Sequence, residues 1–143
     1  MTMKELSQLH WLSVEIDRDK QRLAELEARA TSPGGPNMSG VPGGGGAGSS
    51  VESAAIAIIE LKEQIEGKLA RAMAERDRIT QYLDGVADAQ LRLIMHLRFV
   101  NGLPWAQVGA SVGAGYTGDA CRMACKRYLE KSAQKANKTN NSA

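Results

Sequence analysis

At 143 residues the chain has room for one ordinary domain, and its net charge of +2 argues neither for nor against a polyanionic partner. Thr31 to Ser50 is dominated by Gly, Pro and Ser and Lys131 to Ala143 is small, polar and basic, so neither stretch can bury enough apolar area to offset chain entropy. No continuous apolar run reaches a signal-peptide core or the roughly 18 residues of a membrane span, so the chain is expected to be soluble and cytoplasmic, without a membrane partner.

Charge is unevenly distributed. Residues 1–88 carry 10 Lys and Arg against 14 Asp and Glu, a net of −4, whereas residues 89–143 carry 8 against 2, a net of +6. Such asymmetry suggests that the C-terminal part faces something acidic, such as nucleic acid or a membrane surface.

In chain order, Leu9, Leu12, Ile16, Leu23, Leu26 and Ala30 recur at steps of three and four, with Asp19 as the one polar position in the series. This spacing predicts a coiled-coil-like helix over residues 1–30. Two prolines and two glycines between Pro33 and Pro36 end it, and a flexible linker is expected over 31–50. The run Gly43 to Gly46 is not a phosphate loop, because no Gly-Lys-Ser/Thr follows and no strand precedes.

A second long helix is expected from Ser50 or Ser53 to Asp84, with Ala54, Ile58, Leu61, Ile65, Leu69, Ala72, Ile79 and Leu83 on one stripe. Consecutive four-residue steps from Leu61 to Ile65 to Leu69 form a stutter. The two long helices can pair antiparallel within one chain or between chains, and homo-oligomerisation through them is expected.

From residue 85 to 130 the pattern shortens. Asp84-Gly85 stops the long helix and Asp88 caps the next, whose Leu91, Ile94, Met95 and Phe99 keep helical spacing. Asn101-Gly102 ends that helix, and Pro104 opens a short one with Trp105, Val108 and Val112 on its buried side. Gly113 to Gly115 form a turn. Thr117 then caps a last helix with Cys121, Ala124, Cys125, Tyr128 and Leu129 on one face. Thr117, Asp119, Arg122, Met123, Lys126 and Arg127 lie largely off that stripe. Gly109, a costly residue inside a helix, is expected to let the two helices approach, in concert with Gly113. The expected fold class is all-α: two long amphipathic helices about a linker, then a three-helix helix-turn-helix module, then a disordered basic tail over 131–143.

Other chemistries find little support. Gly113-Ala-Gly115-Tyr-Thr-Gly118 matches a dinucleotide fingerprint in spelling, but a helix rather than a strand precedes it. Cys121, Cys125 and His96 fall short of a zinc ligand set and read as buried thiols and a partly exposed histidine, so no metal or cofactor is expected. No nucleophile, base and acid fall into a catalytic arrangement, and the chain is not expected to be an enzyme.

The segment Leu93-Ile-Met-His-Leu-Arg-Phe-Val-Asn-Gly-Leu-Pro-Trp-Ala-Gln-Val-Gly-Ala-Ser-Val-Gly, followed by Tyr116-Thr117 and a helix ending Arg127-Tyr128-Leu129, resembles region four of sigma factors. It is similar, more closely, to the RinA/ArpU-type regulators of phages and prophages, in which a Pro/Gly-rich segment interrupts a helical N-terminal half, as Pro36-Asn-Met-Ser-Gly-Val-Pro does here. Two features depart from that family. The last helix starts on small and acidic residues, Thr117-Gly118-Asp119-Ala120, and the turn is longer by a residue or two.

The resemblance implies transcriptional control, typically activation of late or packaging genes, with double-stranded DNA as partner and host RNA polymerase as a further one. It implies that Tyr116, Thr117, Asp119, Arg122, Met123 and Lys126 face DNA, with Arg127 and Lys131 neutralising phosphates alongside Lys126. Two alternatives use the same pattern: an adaptor that docks on RNA polymerase without gripping DNA, and a DNA-packaging small subunit.

Overall fold

The computed structural model describes residues 1–31 and 46–142. Among them the chain is all-helical, and no helix is long and apolar enough to cross a membrane. The helices are α1 (Met3–Leu6), α2 (Gln8–Thr31), α3 (Gly46–Asp84), α4 (Ala89–Met95), α5 (Trp105–Val112) and α6 (Gly118–Asn141). A π-helical turn, His96–Val100, continues α4.

The chain divides into two compact units, and their boundaries differ from those the periodicity suggests. One unit is Leu12–Arg71; the other joins Met1–Trp11 to Ala72–Ala143. The expected linker falls mostly outside the described residues, although α3 already begins at Gly46, ahead of the expected Ser50 or Ser53.

In the unit Leu12–Arg71, α2 and α3 pair within the chain and run antiparallel. Lys62 Nζ meets Glu27 Oε1 at 3.5 Å, while Lys68 Nζ meets Asp19 Oδ2 at 2.6 Å, so the order of partners reverses along the pair. Ile16, Leu61 and Ile65 are buried along the seam. Asp19 interrupts this seam. Its residue is only 7% exposed, and Lys68, which also reaches Glu15 at 3.5 Å, compensates its charge. The carboxylates beside Lys68, Asp19 foremost, raise its pKa above the ordinary lysine value.

The second unit holds the larger core: Leu6, Leu9, Ile79, Leu83, Val86, Ile94, Met95, Phe99, Val108, Cys121, Cys125 and Leu129. Leu6 and Leu9 enter it from the N-terminus. A capping box sets their approach: Thr2 N–H donates to Glu5 Oε2 at 2.9 Å and Glu5 N–H donates to Thr2 Oγ1 at 3.1 Å. The first residues thus belong with the C-terminal unit. Their apolar spacing continues that of α2, and spacing alone cannot distinguish two packing partners on one helical stripe.

Asp88 caps α4 as expected, its Oδ1 accepting from Gln90 N–H at 2.9 Å and Leu91 N–H at 3.1 Å. The helix then widens, with Asn101 N–H donating to His96 O at 3.0 Å. Gly102 at φ +73° turns the chain, and Leu103 N–H closes back on Leu97 O at 3.1 Å, one residue wider than the 6→1 bond of a Schellman stop, as the π-helical turn requires. Arg98 secures the corner: its Nη1 donates to Leu103 O at 3.0 Å, and its guanidinium lies 4.9 Å from the centroid of the Trp105 ring.

The expected disordered tail is corrected by α6, which continues to Asn141. No Gly or Pro occurs after Gly118, and Glu130, Lys131, Ala133, Gln134, Lys135 and Ala136 are all good helix formers.

The Asp19–Lys68 pair generates a test. Lys68→Met should lower the thermal midpoint by a few degrees, because a buried carboxylate loses its partner. Asp19→Leu combined with Lys68→Met should restore or exceed the original midpoint, since an apolar pair then completes the seam. A double variant less stable than Lys68→Met would contradict the pairing described.

Candidate nucleic-acid interface

The most constrained contact in the second unit lies between α5 and the start of α6. A Cβ on Gly109 would sit 2.8 Å from Gly118 N, 2.8 Å from Thr117 C and 2.9 Å from Tyr116 O. A Cβ on Gly118 would sit 2.6 Å from Trp105 C and 2.7 Å from Trp105 O. Backbone therefore meets backbone from both sides. Gly109 does serve close approach, but its complement is Gly118 rather than Gly113. Gly113 and Gly115 have a different task, making the turn at φ +127° and +92°.

Thr117 ends the turn and opens α6, its Oγ1 accepting from Ala120 N–H at 3.1 Å. That hydroxyl is engaged in holding the helix start. Phe99 and Trp105 meet edge to face at a centroid distance of 6.0 Å and fix the other end of α5. Val108, Cys121, Cys125 and Leu129 are buried between the helices, with Trp105, Ala124 and Tyr128 half-buried beside them.

All seven residues expected at the interface, Tyr116, Thr117, Asp119, Arg122, Met123, Lys126 and Arg127, are exposed. Apart from the capping Thr117, they divide between two sides of α6. At about 100° per residue, Arg122 and Lys126 lie about 40° apart on one flank, with Asp119 and Met123 next to them towards the outer edge. Tyr116 and Arg127 instead border a cleft of about 490 Å³ between α4 and α6, floored by Leu91, Ile94, Ala120 and Tyr128. Arg127 Nε also donates to Met123 O at 3.3 Å.

Asp119 and Arg122 interact directly. The carboxylate Oδ1 accepts from Arg122 Nη2 at 3.3 Å and from Nε at 3.4 Å, one turn apart on the exposed face. Asp119 also lies in the first turn of α6, where a negative charge is favoured by the helix dipole. The unusual start of this helix thus has two physical functions: Gly118 admits α5, and Asp119 orients an arginine.

The thiols are chemically quiet. Burial raises the pKa of Cys121, and burial with the neighbouring Cys121 pushes Cys125 up to about 12. His96 points elsewhere, with Nε2 3.9 Å from Asp84 Oδ1.

Sequence reasoning missed two features of this region: the glycine pairing across the turn, and the continuation of α6 that brings Lys135 and Lys138 onto an ordered face. An uninterrupted helix-permissive composition after Leu129 was the available signal for the second. Comparison of the chain with family models, with curated proteins and with solved structures finds no match.

Gly109→Ala and Gly118→Ala should each destabilise the protein by about 1–3 kcal/mol in urea unfolding, the overlap outweighing the gain in helix propensity. A neutral or stabilising outcome at both positions would contradict the close approach. The thiols give a pH signature. With the folded pKa of Cys125 raised from near 9 to about 12, its contribution to stability is intact below about pH 9 and is lost as pH rises towards 12. Denaturation between pH 8 and 11 should therefore show a decline that Cys125→Ala makes shallower.

Proposed function

We propose that the chain is a DNA-binding transcription regulator of the RinA/ArpU type, of phage or prophage origin, that activates late or packaging genes. In this reading α4, α5 and α6, which follow the two long helices α2 and α3 in the chain, form a three-helix helix-turn-helix module, and α6 enters the major groove.

The observation that carries this reading is the mutual backbone approach of α5 and the start of α6 through Gly109 and Gly118. It keeps the short helix tight against the base of the next one while the outer flank of α6, with Arg122, Met123 and Lys126, stays free of protein. The charge of +6 over residues 89–143 suits a polyanion. Arg122, oriented by Asp119, is the candidate for a base edge or phosphate, and Lys126 for a phosphate.

One small module gives limited affinity, and self-association would present two modules to two half-sites. The long helix α3 offers apolar surface for it: Val51, Ile56 and Ile59 are each more than half exposed.

Binding to fragments of the source genome, followed by fluorescence anisotropy, tests the reading. Wild-type protein should select a promoter-proximal fragment and release it as salt rises. Arg122→Ala with Lys126→Ala should weaken that complex at least about tenfold without lowering the thermal midpoint. Unchanged binding by the double variant would overturn the assignment of this flank. Failure of the wild type to bind any fragment, with retention of RNA polymerase in a pull-down, would favour the adaptor instead.

A further inference from the structure

The continuation of α6 to Asn141 creates a surface that a disordered tail would not. At about 100° per residue, Lys131, Lys138 and Lys135 lie about 40°, 20° and 80° around the helix from Arg127. The four cations therefore form one stripe. It spans twelve residues, a rise of about 16 Å at 1.5 Å per step, and every member is exposed. Among the described residues, no acidic side chain lies within ion-pair distance of any of them, in contrast to Arg122, which Asp119 engages. The one acidic residue along this length of helix, Glu130, lies about 60° from Arg127 on the side away from the lysines.

This stripe and the Arg122–Lys126 pair are on opposite flanks of the same helix, about 100° or more apart, with Met123 between them. A helix lying in a major groove has a phosphate backbone on each side. The two cationic flanks match that arrangement, on either side of an edge that carries Met123 together with the acidic Asp119 and Glu130. Each DNA strand carries one phosphate per about 3.4 Å of axis, so a stripe of about 16 Å faces roughly five of them with four cations.

We infer that the C-terminal half of α6 is a phosphate-tracking arm: Arg127, Lys131, Lys135 and Lys138 run along one DNA strand while Arg122 and Lys126 address the other. This inference rests on the DNA-binding reading and extends its footprint beyond the helix-turn-helix itself. Phosphate contacts carry no sequence information, so the arm adds affinity and orientation without choosing the site.

The test is the salt dependence of binding by the full chain to its selected fragment and to a scrambled duplex of equal length. The variant Lys131→Gln with Lys135→Gln and Lys138→Gln should reduce the slope of log K against log salt by about 2.7, from about 0.9 per lost phosphate contact. The preference for the selected fragment over the scrambled duplex should stay within about twofold. Replacing the same three lysines with Arg should keep the wild-type slope, and circular dichroism should report equal helix content in all three proteins. An unchanged slope in the Gln variant, with wild type still binding DNA, would overturn the arm and leave the DNA-binding reading standing. A Gln variant that loses the sequence preference would also overturn it. Absence of DNA binding by the wild type would overturn both.

Discussion

Everything at the C-terminal end depends on one steric fact: two helices touch through their main chains. Gly109 and Gly118 leave no room for a Cβ between α5 and the first turn of α6. Once those backbones meet, the turn between them must reverse within Gly113 to Thr117, which requires positive φ at Gly113 and Gly115. The same contact fixes where α6 begins, because Thr117 is then placed to cap it. Every exposed side chain of α6 takes its bearing from that start, including Asp119 and Arg122 one turn later.

The short-range grammar of this region was legible because each signal there has a local cause. Asp88 and Thr117 cap helices through hydrogen bonds to main-chain donors two or three residues away, and Pro104 precedes a helix whose first turn needs no donor from it. The sequence also placed Val108, Cys121, Cys125 and Leu129 on buried faces, since helical period and burial agree in short helices packed on one side.

What was not legible depends on partners distant in sequence. Leu6 and Leu9 carry the same spacing as Ile16, yet they fill the core with Phe99 and Met95, whereas Ile16 faces the other long helix. The π-helical turn at His96–Val100 leaves no mark in periodicity, because one extra residue per turn shifts a five-residue segment too little to register. The seven residues expected to face DNA are all exposed, but the separation of Arg127 from Arg122 emerges only when both are placed on a defined helix beside α4. Gly118, which reads as a weak start to a helix, has its reason in Trp105, thirteen positions earlier.

Asp19 gives the long helices something that apolar residues alone do not. A seam of leucines and isoleucines tolerates sliding by a heptad and tolerates a copy of itself as partner. An aspartate in that seam, held at 2.6 Å by Lys68, fits only one alignment. A shift of one heptad would set the carboxylate opposite Leu61 or Glu75 in place of Lys68, and pairing α2 with another α2 at the same level would bring two carboxylates together. The single polar position therefore works as a key: it sacrifices some apolar contact so that α2 recognises α3 in one register and refuses its own kind.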